Sequence, residues 1–415
     1  MEQKLFTRNF TLLILGQASS LFGNYILRLA LSMYVLEATG SAAVFAGLLS
    51  IAVIPTILLS PLGGVLADRA NKRNLMVALD ALTGAAVLAT AVLLTEENAI
   101  AVIGALLVGL SILGAFETPT VQACIPQMLT GDNIIKGNAV VNQVASVSYL
   151  TAPMIGGVFY GAVGLKPVIV VSVICFFITA LLECLIQLDT QPGSNYGFLS
   201  IVKEDLLVSF HFMVKERTDI MNMLFLVAFS RFFVMGITLI GLPFLVRTVL
   251  GLDAAYYGTA ESCLAVAVIV GSIAAGMLTG KLKYKTLSFI LAAIGICSIP
   301  AGVAFLLPAN PFIRYMVLVA SFSGMEIAVS IFSVFAVSMI QQNTPGNFIG
   351  KIMAYTSTIT MCAQPAGQMV YGVLFDRWKD SAALVLIPSG IAVGIIGFLS
   401  TGCFKRLEEK PRETS

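Results

Sequence analysis

Long apolar runs alternate with short polar breaks along the whole chain. Twelve runs are separable, at 10–36, 43–67, 74–95, 100–124, 137–163, 167–188, 220–249, 255–280, 286–307, 312–341, 348–375 and 381–404. Each is long enough to cross a hydrocarbon core of about 30 Å at about 1.5 Å per residue. Backbone groups in lipid must bond within their own segment, so the runs are predicted as α-helices. A membrane β-barrel would show short segments of strict alternation instead. The first run, which follows Lys4 and Arg8, is too long for the apolar core of a cleavable leader. It is predicted as the first spanning helix.

The longest break falls at 189–219, after Gln191-Pro192-Gly193. Within it Leu199, Val202, Leu206, Phe210 and Met213 recur at helical spacing, with Lys203, Glu204, His211, Lys215 and Glu216 between them. Such a pattern suits an amphipathic helix on a membrane surface; a plain linker between two halves is the simpler reading. The expected domains are a six-helix bundle over 1–188, a cytoplasmic linker over 189–219, a second six-helix bundle over 220–404 and a tail over 405–415. The halves look duplicated. Gly64-Val65-Leu66 is echoed by Gly276-Met277-Leu278 at an offset of 212 residues, Pro153 by Pro365 at the same offset, and Gly23 by Gly236 at 213. Six plus six helices with internal repetition is a transporter architecture, with the substrate path between the halves.

Composition agrees with a lipid-embedded chain. Of 415 residues 58% are hydrophobic and 11% charged, against about 25% charged in soluble domains. Mean hydropathy is +0.94. A net charge of +2 suggests no attraction to nucleic acid. The seven cysteines sit in apolar stretches without a C-x-x-C pair, and His211 is the only histidine. A disulfide framework, a metal site and histidine catalysis are therefore not expected, and no cofactor is implied. With the N-terminus in the cytoplasm, seventeen basic residues fall on the inner side and five on the outer. The positive-inside rule thus predicts a multi-pass protein of the plasma membrane with both termini cytoplasmic.

The sharpest motif is Gly64-Val65-Leu66-Ala67-Asp68-Arg69-Ala70-Asn71-Lys72-Arg73, at the break between the second and third runs. It resembles the loop signature G-x-x-x-D-R-x-G-R-R of the major facilitator superfamily, with Asn71 where that family has glycine. The resemblance implies an all-α membrane protein, with twelve transmembrane helices in two pseudo-symmetric six-helix bundles. It also implies a gating motif: Gly64 for close helix packing, Asp68 as an acceptor for a facing helix N-terminus or basic group, and Arg69, Lys72 and Arg73 as positive charge at the inner interface. Asp68 and its neighbours would then close the inner side in the outward-facing state. A positive-inside loop without a gating role is the plainer alternative.

Ala152-Pro153-Met154-Ile155-Gly156-Gly157 resembles the antiporter motif G-P-x-x-G-G of the same superfamily. Pro153 removes one helical hydrogen bond, and the small residues permit a bend and tight packing. A packing kink explains the residues equally well. Phe116-Glu117-Thr118-Pro119, Gln122-Ala123, Ile125-Pro126, Gly137-Asn138-Ala139 and, in the first run, Gly23-Asn24, Arg28 and Ala30-Leu31 resemble the macrolide-efflux and enterobactin-exporter branch. Asn24 stands where many relatives of that branch carry an acid, and the arginine common in the fourth span of proton antiporters is not evident.

Ionisable groups inside apolar runs are expensive and so are candidates for function. These are Arg28, Glu117, Arg231, Glu261 and Glu326, as proton carriers, substrate contacts or static ion pairs such as Glu117 or Glu326 with Arg28 or Arg231. Gln364 and Gln368 flank Pro365 one turn apart and need polar partners. Glu37, Asp80 and Glu183 lie near run ends and are read as interfacial, with Asp80 able to pair with the Arg69–Arg73 cluster. Phe22, Tyr25, Tyr34, Tyr149, Phe232, Phe233 and Tyr355 offer aromatic surface for an amphipathic substrate or pack against lipid. No nucleotide-binding P-loop, H-E-x-x-H or G-x-S-x-G occurs, so enzymatic chemistry is not expected. The resemblance implies a monomeric exporter of a small molecule, a macrolide-like drug or siderophore-like metabolite, exchanged for protons. An importer or uniporter of the same fold, or a lipid-flipping or receptor protein, are the alternatives.

Overall fold

The computed structural model describes residues 5–188, 218–278, 284–342, 344 and 349–402. The amphipathic segment expected over 189–219, apart from its last two positions, and the tail over 405–415 lie outside them. Twelve helical segments run through the described residues. They are α1 (Arg8–Thr39), α2 (Ala42–Arg69), α3 (Lys72–Leu93), α4 (Ala99–Met128), α5 (Asp132–Val163), α6 (Leu165–Cys184), α7 (218–249), α8 (Ala254–Leu278), α9 (Tyr284–Leu306), α10 (Pro311–Gln342), α11 (Ile349–Arg377) and α12 (Ala383–Leu399). They match the twelve apolar runs one for one. Nine are long and apolar enough to cross a membrane, and α12 is apolar but shorter. Large apolar side chains such as Val92, Leu58 and Leu181 are at least two-thirds exposed. A water-soluble surface rarely carries so many.

The helix ends follow local chemistry. Thr7 caps α1 by accepting from the Phe10 amide at 3.3 Å, and Gly40 ends it with φ 60°, a left-handed turn that glycine takes without strain. Asn71 caps α3 by accepting from the Asn74 amide at 3.1 Å. Its φ of −66° needs no glycine, so the departure from the family signature at this position supplies a cap.

One helix is irregular. In α7 the α-helical Thr218–Val234 is followed by π-helical Met235–Gly241, a short α turn at Leu242–Phe244 and a second π-helical stretch at Leu245–Val249. Pro243 lies inside this region and has no amide hydrogen to donate. π-helical turns are rare and concentrate at functional places. No periodicity in the sequence announces them; Gly236, Gly241 and Pro243 are the only hints.

The chain forms two compact units. The first comprises 1–40, 48–195 and 253–262; the second comprises 41–47, 196–252 and 263–415. In the first, α1 packs on α5 and α6, and α3 on α4 and α6. Ser172 and Thr179 of α6 donate to the carbonyls of Gly23 and Gly16, and Ser19 donates to that of Cys175. A Cβ on Gly23 would stand 2.8 Å from that of Cys175, so the two helices approach as closely as glycine allows. In the second unit α9 packs on α10 and α12, and α7 on α11. There the rings of Phe232, Phe233, Tyr371 and Phe375 form a chain of tilted and edge-on contacts.

Each unit includes the beginning of a helix whose remainder lies in the other. Residues 41–47 of α2 belong to the second unit, where Asp376 of α11 accepts from Ser41 Oγ at 2.5 Å and from the amides of Ala42 and Ala43 at 2.6 and 3.1 Å. A carboxylate thus caps the start of α2. Residues 253–262 belong to the first unit, where Ser262 donates to the Leu150 carbonyl at 2.7 Å. A Cβ on Gly258 would stand 2.2 Å from the Pro153 carbonyl oxygen.

Candidate functional site

The first unit encloses a cavity of about 450 Å³ between α1, α4 and α5. From α1 come Gln17, Ser20, Asn24 and Arg28, spaced three, four and four apart, which places them on one helical face. From α4 come Glu117, Thr118 and Gln122, and from α5 Asn142. The Arg28 Nε donates to Asn24 Oδ1 at 2.7 Å, so the amide holds the guanidinium at the wall. Of the expected residues, Arg28 and Glu117 therefore share one cavity, as the two charges of opposite sign that line it. Tyr25 also lines it, and its ring meets that of Tyr149 edge-on with centroids 5.5 Å apart. Glu261, on the part of α8 within this unit, is hydrogen-bonded to Tyr257 and lies in electrostatic reach of Tyr25.

Behind this wall lies a group of acids that the sequence reading placed elsewhere. Asp80 is 1% exposed and Glu183 is fully buried, so both face the inside of the bundle and not its surface. Position along a run gives depth only approximately, and both side chains point into the bundle. Ser20 Oγ stands 3.0 Å from Asp80 Oδ1 and 3.5 Å from Glu117 Oε1. The carboxyls of Asp80 and Glu183 face each other. Gln17 and Ser20 were not singled out from the sequence either. The three-four-four stripe of polar residues on α1 was the signal that would have found them.

The second unit holds the other expected groups. Glu326 is buried on α10, hydrogen-bonded to Thr238 in the first π-helical stretch of α7, with Arg231 in electrostatic reach. The irregular part of α7 thus supplies the partner of this acid. Gln368 is fully buried, and Gln364 on the preceding turn of α11 is half-buried. A separate cavity of about 730 Å³ is lined by Asn222, Phe225, Phe229 and Phe232 of α7, Cys362 of α11 and Leu399 of α12, and is almost wholly apolar. Phe233 is instead buried against Tyr371.

The residues of the antiporter-like motif lie at close contacts between helices. Ala152 and Pro153 are buried in α5; Gly156 lies against Ile26 of α1, and Gly157 against the Ala254 carbonyl and Gly258 of α8. Arg73 reaches from the start of α3 to donate to the Cys184 carbonyl at the end of α6, where a cation suits the helix dipole. Lys72 lies in electrostatic reach of Cys124. The surroundings of Gly64 and the side chains of Asp68 and Arg69 lie outside what the structure describes.

Known proteins place this arrangement. Residues 13–367 match the family described as the Major Facilitator Superfamily. The chain is 23% identical over 367 residues to Macrolide efflux protein A of Streptococcus pyogenes, covering 87% of this chain and 88% of that one. It is 22% identical over 319 residues to Macrolide efflux protein A of Enterococcus faecalis, covering 76% of this chain and 95% of the relative. Among solved structures it is similar to a bacterial homologue of the iron transporter ferroportin in an inward-facing state. That likeness has a TM-score of 0.72 at 14% identity, over 97% of this chain and 99% of the other. It is also similar to a D-xylose-proton symporter, with a TM-score of 0.70 at 14% identity over 97% and 98%. These structural likenesses are of fold. The family match spans most of the chain, and with twelve helices in register with twelve apolar runs, this multi-pass membrane protein belongs to the major facilitator superfamily of transporters.

Proposed function

We propose that this chain exports a large, amphipathic organic compound across the plasma membrane by alternating access, in exchange for protons. The observation that carries the reading is the cavity of the first unit. It combines an aromatic ring, hydrogen-bonding amides, a cation and a carboxyl within about 450 Å³. Such a lining recognises a molecule with both apolar bulk and scattered polar groups. The low-identity likeness to macrolide efflux proteins supports a macrolide-like substrate and the outward direction; a siderophore-like metabolite has the same chemistry. The chain acts as a monomer, with both termini in the cytoplasm.

In this reading Arg28, Glu117 and Glu261 contact substrate or carry protons in the first unit. Arg231, Glu326, Gln364 and Gln368 do so in the second. The Gly64–Arg73 segment acts as the inner latch, with Asp68 as its acceptor, and Ala152-Pro153 with Gly156-Gly157 gives the tight seam on which α5 and α8 pivot. The test is erythromycin accumulation in efflux-deficient cells expressing the chain, with and without a protonophore, beside Asp68→Asn. Lowered accumulation that returns to control with the protonophore and with the variant is expected. Unchanged accumulation with the protein present in the membrane would turn the reading to another substrate; raised accumulation would reverse the direction.

A further inference from the structure

The acids behind the cavity wall are held in an arrangement that the substrate does not explain. Asp80 is 1% exposed and Glu183 not exposed at all. Their carboxyls face each other, with Glu117 also in electrostatic reach of Glu183. Among the described residues, Oδ2 of Asp80 and both oxygens of Glu183 have no hydrogen-bond partner. The carboxyls of Asp80 on α3 and Glu183 on α6 thus meet in the buried interior of the bundle, while Glu117 of α4 borders the cavity. Like charges side by side away from solvent repel strongly, and a cation shared between their oxygens, a proton included, removes that repulsion. Among the described residues no three side chains are placed to hold a metal ion.

The surroundings supply a route for a proton. Ser20 Oγ lies within hydrogen-bonding distance of both Asp80 and Glu117, and a hydroxyl can accept on one side while donating on the other. Glu117 lines the cavity. So does Gln17, one turn before Ser20 on α1. Gln17 is 7% exposed, and its Nε2 has no partner among the described residues. A buried donor aimed into a polar cavity calls for an acceptor there, which a water molecule or a substrate oxygen provides.

Other ionisable groups face the cluster from each helix. On α1, Arg28 lies on the same cavity wall but is tied to Asn24. On α3, Arg73 donates to the Cys184 carbonyl beside Glu183. The thiols of Cys124 on α4 and Cys184 on α6 lie in reach of Glu183.

We propose that Asp80 and Glu183, linked through Ser20 to Glu117, form the proton-binding site that couples transport, set inside the first bundle rather than in the substrate cavity. Glu117 takes a proton from the cavity and passes it to the Ser20 oxygen as the Ser20 hydroxyl proton moves to Asp80. The acid pair then holds that proton between facing oxygens, and release follows the reverse order. No atom is left over and no oxidation occurs. The proposal rests on proton exchange as the driving reaction, and it names where that proton is bound.

The test has a readout that needs no substrate. The purified full chain is titrated in lipid while the carboxylic C=O stretch is followed by infrared difference spectroscopy. A titrating carboxyl band is expected that disappears in Asp80→Asn and in Glu183→Gln. It should persist in Ser20→Ala and in Glu97→Gln, an exposed loop residue. Erythromycin transport in proteoliposomes is the second readout. Glu183→Gln, outside the lining of the substrate cavity, is expected to lose uptake driven by a pH gradient while keeping exchange of labelled for unlabelled erythromycin, which separates lost coupling from lost fold. A band unchanged in both acid variants overturns the proposal. So does a band that responds to sodium or calcium at fixed pH, which would make the pair a metal-cation site. Absence of erythromycin transport by the unaltered chain, with the band behaving as expected, would fault the proposed substrate and leave the proton site standing.

Discussion

Glu326 and Glu117 are the two expected carboxyls whose surroundings differ most. Glu117 borders a cavity and a serine hydroxyl; Glu326 is enclosed, with Thr238 and Arg231 for company. In the reading proposed above, the coupling proton is bound by the Asp80–Glu183 pair of the first unit and not by the carboxyl of Glu326. Glu326→Gln is therefore expected to slow erythromycin transport while leaving the pH at half-maximal rate unmoved; a shifted pH profile would return Glu326 to the coupling role. Individual residues were legible to an uneven degree. Arg28 and Glu117 stood out as charges in apolar runs, and the structure brings them to one cavity. Asp80 and Glu183 were read as interfacial from their place near run ends, which did not reveal that their side chains are buried together. Burial inside a bundle depends also on which face of the helix a residue occupies, and that is set by packing partners far away in sequence.

Elements were read more securely than residues. Twelve apolar runs became twelve helices because length and apolarity are the properties that lipid selects. Two features at this scale depended on tertiary structure. The π-helical turns of α7 lie against Tyr371 and Phe375 of α11, with Gly236 and Gly241 packed on those rings. The other feature is the capping of α2 by Asp376, a carboxylate that arrives from more than 330 residues away and joins the local cap Ser41. Loss of a helix cap costs about 1 kcal/mol. In Asp376→Ala the amides of 42–44 are expected to exchange hydrogen about fivefold faster, the factor that this energy represents. Asp376→Asn, which keeps an acceptor, should fall between. Unchanged exchange in both would show that Ser41, which accepts from the Val44 amide, suffices as the cap.

For the molecule as a whole, an even number of spans requires both termini on the same side. The distribution of basic residues predicts the cytoplasm for that side. A fluorescent protein fused after Ser415 is expected to mature and glow, and a periplasmic phosphatase fused there to stay inactive; the opposite pattern would invert the topology. The internal repeat was visible in an offset of 212 residues, and the two helix starts that group with the opposite unit, 41–47 and 253–262, also begin 212 residues apart. What the repeat could not reveal is that the two helix starts are held in chemically different ways. One is closed by a carboxylate on a helix start, the other by glycine packed on a backbone carbonyl.

The exchanged segments also bear on how the chain is made. Synthesis runs from the N-terminus, and domains tend to fold as they emerge. The first unit includes residues 253–262, so it is incomplete when α6 has left the ribosome and stays so until the start of α8 follows. Residues 41–47 wait longer still, for an acid at position 376. During that interval Gly157 and the start of α2 stand bare, and a nascent chain arrested between the halves carries an unfinished surface that chaperones or proteases of the membrane can recognise.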